Sequence, residues 1–337
     1  MVSVIIPVYN NKDYIKNALL SLRKQTYKNL DIIVINDGST DGLDFDYIKN
    51  IIPNVRYYNK QNEGLGLTRN LGIELAKGNY IFFLDADDTL PPNAIKILRD
   101  TINDMDFIIG QCKKIYFNKN NKIYKEVIWK KQLEKQKVNK YNFIIDTIAT
   151  NKLYKKDFLI QKKIKFQTDL YEDKLFVLKV LESSKKFKYV NKVIYNWHVH
   201  YDSRSITNTL NISNLKERMK VIYSCINYTN DERLKKIIIY NTIKHDLKLY
   251  INRFNQYSFK EKEEFYNIYK NFYYKYKNYI NDNEYFVDKI IITNINNKNL
   301  IFNEFELISV ENNTRNFFIK FKKYLRYSLF YIKKKIK

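Results

Sequence analysis

Residues Val2–Val8 form a nearly unbroken apolar run, VSVIIPV, of the length and β-branched character of a buried strand. Residues 13–25 follow with apolar positions at Ile15, Ala18, Leu19 and Leu22, the spacing of a helix with one buried stripe. Residues 30–35 predict a second strand, ending at Asn36-Asp37-Gly38-Ser39, and residues 55–58 a short third. Residues 66–76 predict a helix that stops at Gly78, residues 80–84 a buried strand, Ala94–Ile102 a helix and residues 107–110 another strand. Strands that alternate with helices in this way imply an α/β fold, Rossmann-like, with a mostly parallel sheet covered by helices on both faces.

The pattern then changes. Residues 113–129 read as a hairpin turning near 118–121, residues 173–181 as a helix through Leu175, Phe176, Val180 and Leu181, and residues 192–199 as one more strand. From about 211 the chain becomes helical, rich in Lys and Tyr, without Gly or Pro. Two domains are therefore expected, 1–210 and 211–337, the second a helical region that ends in a basic tail.

Charge follows the same division. Residues 1–110 carry 12 basic and 14 acidic side chains, whereas the remainder carries 48 and 22, so the whole excess of +24 lies behind the first third. Lys supplies 50 of the 60 basic groups. Such a surface favours anionic partners, whether membrane or nucleic acid. In residues 315–337 nine basic and no acidic side chains accompany Phe317, Phe321, Leu325, Leu329 and Ile332 at helical spacing. That segment reads either as an interfacial helix on anionic lipid or as a helix packed on the protein body. Two cysteines, Cys112 and Cys225, give neither a disulfide framework nor a zinc spacing. Met1 leads directly into VSVIIPVY with no basic leader and no cleavage site, and no apolar stretch approaches the length of a membrane span. A cytoplasmic location, with possible attachment to the inner face of the membrane, is expected.

The run YIFFLDADDTLPP holds the most informative chemistry. An apolar strand delivers Asp85, Asp87 and Asp88 at its carboxyl end, where open α/β sheets bind ligands. Crowded carboxylates invite a divalent cation that holds a phosphate; a solvated acidic turn capping the next helix at Asp88 or Thr89 has the same composition.

Further segments accompany it in order: VSVIIPVYN, DIIVINDGSTD, NEGLGLTRNLGIELAKGNYIFFLDADD, NKLYKKDFL and FQTDLYEDKLF. Together they resemble the catalytic domain of glycosyltransferase family 2, which has the GT-A fold, over about residues 1–205. The resemblance implies an inverting, metal-dependent enzyme that moves a sugar, a hexose or N-acetylhexosamine, from a UDP-sugar to a glycan or lipid-linked glycan acceptor in capsule, polysaccharide or lipooligosaccharide synthesis. It assigns Asp37 to the uracil, with Pro7 and Tyr9 lining the same pocket. It takes Arg69 to the nucleotide or its phosphates, and lets Gly64 and Gly66 bring backbone close to the donor. It places Asp85 at the ribose or in the metal shell, Asp87 on Mn²⁺ or Mg²⁺, and Asp88 either orienting the loop or near the donor sugar. It makes Asp173, in preference to Glu172, the general base. Bland alternatives stand beside these: a turn at Asp37, a surface arginine at Arg69, and acids in the first turn of a helix at Glu172-Asp173.

The run YNWHVHYDSRSIT adds His198, His200 and Arg204, as contacts to the metal or diphosphate or as a polar strand edge. The two histidines are expected on opposite faces of the strand. Two other readings compete. A nucleotidyltransferase that makes nucleotide-sugars shares metal-held phosphates but should open on a Gly-rich loop, which VIIPVYNNKDY lacks. A nucleic-acid-binding module would exploit Lys interleaved with aromatics, but no recognised motif supports one, and no nucleic-acid partner is expected.

Overall fold

The computed structural model of the chain describes residues 1–279 apart from 119, 121 and 201–209. Arg204 and the segment 315–337 lie outside the described residues. In chain order the described elements are β1 (Val2–Val8), α1 (Lys12–Arg23), β2 (Leu30–Asp37), α2 (Phe45–Ile51), β3 (Val55–Lys60), α3 (Leu65–Leu75), β4 (Tyr80–Phe83) and α4 (Ala94–Ile102). There follow β5 (Phe107–Phe117), β6 (Ile123–Trp129), α5 (Lys140–Phe143), β7 (Lys152–Lys155), α6 (Lys156–Gln161), α7 (Asp173–Ser183) and β8 (Phe187–Val199). The chain continues through α8 (Ile212–Tyr228), α9 (Glu232–Asn241), α10 (Lys248–Ile251) and α11 (Phe259–Tyr276).

The strands form one sheet in the order β3-β2-β1-β4-β7-β5-β6, with β8 on the other edge of β5. Pairings β1–β2, β2–β3, β1–β4 and β5–β8 are parallel, whereas β7 runs antiparallel to β4 and β5, and β6 antiparallel to β5. The expected mostly parallel sheet with helices is thus observed. Alternation along β1 explains the two layers of packing. Val2, Val4, Ile6 and Val8 share a core with α1, α2 and α4, while Ile5 faces α3, where Gly72 gives it room.

Three differences from the sequence reading stand out. The strand expected to stop at residue 110 continues to Phe117 and becomes the first arm of the hairpin with β6. Helix α2 was not expected; its start is fixed by the Asp44 carboxylate, which accepts from the Tyr47 N–H at 2.8 Å. Strand β7 was also not expected, because Lys152 and Lys155 flank its two apolar residues.

The described residues fall into two compact units: those of 1–200 with Glu217–Lys235, and Leu210–Lys216 with Lys236–Tyr279. The second contains the π-helical turn Thr242–Leu247 and an aromatic core of Phe254, Phe265, Tyr269 and Phe272. Its helix α11 opens on a capping box between Ser258 and Glu261.

Helix α3 deserves its small residues. A Cβ on Gly66 would lie 2.0 Å from the carbonyl oxygen of Gln167, so the expected donor approach at Gly66 is instead an approach of the chain's own loop. Gly64 has φ +92°, a conformation that favours glycine. We expect Gly66→Ala to lose about 1–3 kcal/mol of stability, because backbone rather than a flexible side chain must move. A urea unfolding midpoint equal to that of the unsubstituted protein would contradict the close packing.

Candidate functional site

Positions 66, 69, 70 and 73 of α3 fall on one helical face, and all are buried. Arg69 is 1% exposed at the centre of this face. One terminal nitrogen, Nη1, donates to Glu172 Oε1 and to Asp173 Oδ1, each at 2.6 Å. The other, Nη2, donates to Asp85 Oδ1 at 2.8 Å. The rings of Phe83 and Phe166 flank the guanidinium, 5.9 and 5.3 Å from its carbon. Asn70 brackets the Phe166 backbone from both sides, accepting from its N–H and donating to its C=O at 2.9 Å. Helix α3 therefore holds both the guanidinium and the segment that leads to its acidic partners.

Three carboxylates surround one guanidinium, so the cluster carries surplus negative charge. Burial opposes the charge on Arg69, but Asp173, Asp85 and Glu172 outweigh it and hold Arg69 above its usual range. Burial and the neighbouring Asp173 push Glu172 up to about 7. Burial also raises Asp173, against the opposing pull of Arg69. Exposure grades outward: the side chains of Glu172, Asp173 and Asp85 are 10%, 22% and 33% exposed. Asp173 is therefore both charge-coupled to the interior and within reach of a ligand. Its second oxygen, Oδ2, accepts from the Ala149 N–H at 3.0 Å. Tyr171, two residues earlier, has φ +65°, an unusual conformation for a bulky residue and one that sets the turn into α7.

The acids after β4 do not share one direction. Asp85 turns to Arg69. Asp88 is 4% exposed and accepts from the Tyr195 hydroxyl at 2.6 Å and from the His198 N–H at 2.7 Å. Burial, then Asp87 and Asp85, push Asp88 well above the ordinary carboxylate range, which suits an internal brace between this loop and β8. Thr89 and Asn196 exchange two backbone hydrogen bonds beside it. Asp87 is partly buried. Among the described residues, no group of three or more His, Cys, Asp or Glu side chains is arranged as a metal cage.

Asp37, at the end of β2, is buried, and it binds Lys60 and the N–H groups of Glu63 and Gly64. It fixes the loop before α3, and these contacts lower it despite its burial. Asn36 bonds Tyr57 and the Ser39 N–H. Pro7 is buried in β1, whereas Tyr9, just beyond it, is 50% exposed. The expectation of opposite faces for His198 and His200 is wrong. Residues two apart on a strand share a face, and both imidazoles pack on Phe117, at 5.3 and 5.0 Å. Burial, then His200, lower His198 to about 4, so its ring is neutral near pH 7, with Nε2 3.1 Å from the Thr89 hydroxyl.

Sequence reasoning named Asp85, Arg69, Glu172 and Asp173 separately; the structure joins them in one cluster. It did not find Tyr195, Lys60, Asp146 or Lys152. Nothing distinguishes Tyr195 among 30 tyrosines.

A family model described as Glycosyl transferase family 2 matches residues 3–161. The poly(ribitol-phosphate) beta-N-acetylglucosaminyltransferase TarP of Staphylococcus aureus is 31% identical over 250 residues, which span 69% of this chain and 75% of that protein. The chain belongs to glycosyltransferase family 2. Glycosyltransferase GlyA of Streptococcus pneumoniae is 31% identical over 221 residues, 60% of this chain but 31% of that longer protein. Against other curated relatives, too, the chain spans less than two thirds of their length. Among solved structures, S. aureus TarS 1-349 superposes with a TM-score of 0.68 at 18% identity, over 93% of this chain and 91% of that one. At that identity the likeness shows the fold, GT-A. TarS has also been crystallised with UDP and with UDP-GlcNAc.

Replacing Arg69 with Met should leave three buried or half-buried carboxylates without their counter-charge. We expect a loss of about 3–5 kcal/mol in denaturant unfolding, with little recovery in Arg69→Lys, whose single ammonium lacks the fork geometry. An unchanged midpoint for Arg69→Met would show that the cluster does not hold the site together.

Proposed function

We propose that the protein is an inverting glycosyltransferase that moves a hexose or N-acetylhexosamine from a UDP-sugar to a glycan acceptor in cell-surface polysaccharide or lipooligosaccharide synthesis. The observation that carries this reading is the convergence of Asp85, Glu172 and Asp173 on Arg69 at the carboxyl end of the sheet, where GT2 relatives are expected to seat the donor. The UDP-GlcNAc complex of TarS and the named activity of TarP support a UDP-N-acetylhexosamine within that class.

In this reading residues 1–210 are the catalytic domain. Tyr9 offers an exposed ring beside the end of β1 for the nucleotide, and Pro7 and Asp37 shape the loops beneath it. Asp85 faces the ribose, held by Arg69, which organises carboxylates instead of reaching the phosphates. Asp173 accepts the proton from the acceptor hydroxyl as that oxygen bonds to the anomeric carbon. The bond from that carbon to the diphosphate oxygen breaks, and its electrons leave with UDP. One displacement inverts the anomeric centre. Glu172 and Asp88 act from the interior, on charge balance and on the loop, and His198, His200 and Arg204 are assigned to the diphosphate side.

The donor set fits a hard cation only in part. Mg²⁺ and Mn²⁺ accept one or two carboxylates together with substrate phosphates. Asp87 provides such a carboxylate, whereas Asp85 bonds Arg69 and Asp88 bonds Tyr195 and the His198 N–H. A cation held by Asp87 and the donor would neutralise charge on the departing diphosphate. The protein is placed in the cytoplasm, with residues 315–337 assigned to an anionic membrane surface. No helix among the described residues is long and apolar enough to cross a membrane.

Incubation with UDP-, GDP- and CMP-sugars and Mn²⁺, Mg²⁺ or EDTA should release nucleotide from one UDP-sugar. Asp87→Ala should lose that release, as should EDTA. Asp173→Asn should still bind UDP-sugar but turn over at least about 100-fold more slowly. No release and no UDP binding by a folded protein would overturn the assignment. A second expectation concerns pH. The base must be ionised, and folding raises Asp173, so kcat should fall as pH drops through a midpoint above 3.8, the ordinary value. A flat profile down to that pH would exclude Asp173 as the base.

A further inference from the structure

Lys152, in the unexpected strand β7, is fully buried. An ammonium is costly to desolvate, and an apolar residue of equal length would fill the same space at lower cost. Its surroundings give it a different use. Nζ donates to the backbone carbonyls of Ile148 at 2.6 Å and Asp146 at 3.2 Å, and to Asn151 Oδ1 at 2.7 Å. The Asp146 carboxylate lies 3.3 Å away. Three acceptors match the three protons of an ammonium, the charged form. All of them belong to residues 146–151, the segment just before β7.

The shortest of these bonds goes to the Ile148 carbonyl. That oxygen and the Ala149 N–H belong to one planar peptide group, and the Ala149 N–H is the group that donates to Asp173 Oδ2. The next peptide is pinned as well, because the Tyr154 hydroxyl donates to the Ala149 carbonyl at 2.9 Å. The peptide 148–149 therefore cannot rotate away from Asp173, and a cation on its oxygen polarises its N–H.

We propose that Lys152 is a positioning residue for Asp173, acting through the Ile148–Ala149 peptide. The proposal rests on the reading of Asp173 as the base. Arg69 holds Oδ1 and the peptide holds Oδ2, so each carboxylate oxygen has its own donor, one a buried cation and the other backed by one. The other charged or titratable groups that face Asp173 are Asp85 from the end of β4, Glu172 beside it and Tyr154 from β7; Asp146 and Cys112 face Lys152. Burial lowers Lys152, and Asp146 and then Asp173 oppose that shift, which ties the two ends of the relay electrostatically.

The test compares Asp146→Asn with the charge-neutral pair Asp146→Asn/Lys152→Met, in the full chain, with the UDP-sugar that the wild-type protein hydrolyses. The pair should bind that donor with unchanged affinity and KM, lose about tenfold or more in kcat, and show the acid limb of kcat displaced to higher pH, since a positive charge has left the carboxylate's surroundings. Asp146→Asn alone, which keeps the Lys152 side chain on the Ile148 carbonyl, should retain more of the wild-type kcat than the pair. Wild-type kcat and limb in the folded pair would overturn the proposal and leave Lys152 a purely structural residue. Should the pair not fold, the Ala149 amide in the wild-type protein decides. A low-field, exchange-protected amide proton that moves upfield in Asp173→Asn is expected; a freely exchanging one contradicts the relay. An active Asp173→Asn protein would instead remove the base assignment, and the same amide resonance would still judge the geometry.

Discussion

A guanidinium shut away from water among three carboxylates is the constraint from which this site follows. Arg69 cannot be buried without acids, and Glu172 cannot be buried without Arg69, so neither side is stable alone. The demand reaches far along the chain. It accompanies a close approach of α3 to residues 166–167, where Gly66 is needed, and brings the first turn of α7 to the end of β4. The fold places strands so that their carboxyl ends meet. The charge cluster decides which side chains stand there and in what state.

The same economy of charge separates the acidic residues by task. Asp88 is turned inward to Tyr195 and β8, and burial makes ionisation unfavourable. Asp37 is wrapped in donors and kept ionised. Asp173 lies between these extremes, raised yet partly exposed, which suits a group that takes a proton from a ligand and gives it up to water. Residues of similar sequence appearance thus differ because of the donors that face them. The Ala149 N–H belongs to that set of donors alongside Arg69, with Lys152 and Tyr154 holding the carbonyls on either side of it.

Much of the fold was legible because apolar periodicity reports burial directly. Ala94–Ile102 and the strand before the acids show it clearly. Strand β7 escaped because a buried Lys looks like a surface residue until its partners are known, and α2 because its start depends on the local Asp44 cap. The acids of the site were visible as charges ending an apolar run. Their pairing was not, since Arg69 and Glu172 stand 103 positions apart and only the tertiary fold joins them. The family resemblance assigned Arg69 to the donor; in the structure its guanidinium bonds Asp85, Glu172 and Asp173. The histidine faces were misjudged by strand parity, which puts residues 198 and 200 on the same side.

In the proposed mechanism a single base, Asp173, drives one displacement at the anomeric carbon. The most direct measurement is the anomeric configuration of the sugar first released from an α-linked UDP-sugar, followed by proton NMR at enzyme concentrations that outrun mutarotation. A single displacement gives the β anomer as the initial product. Initial release of the α anomer would require two displacements or front-side attack, and would overturn the single-base mechanism.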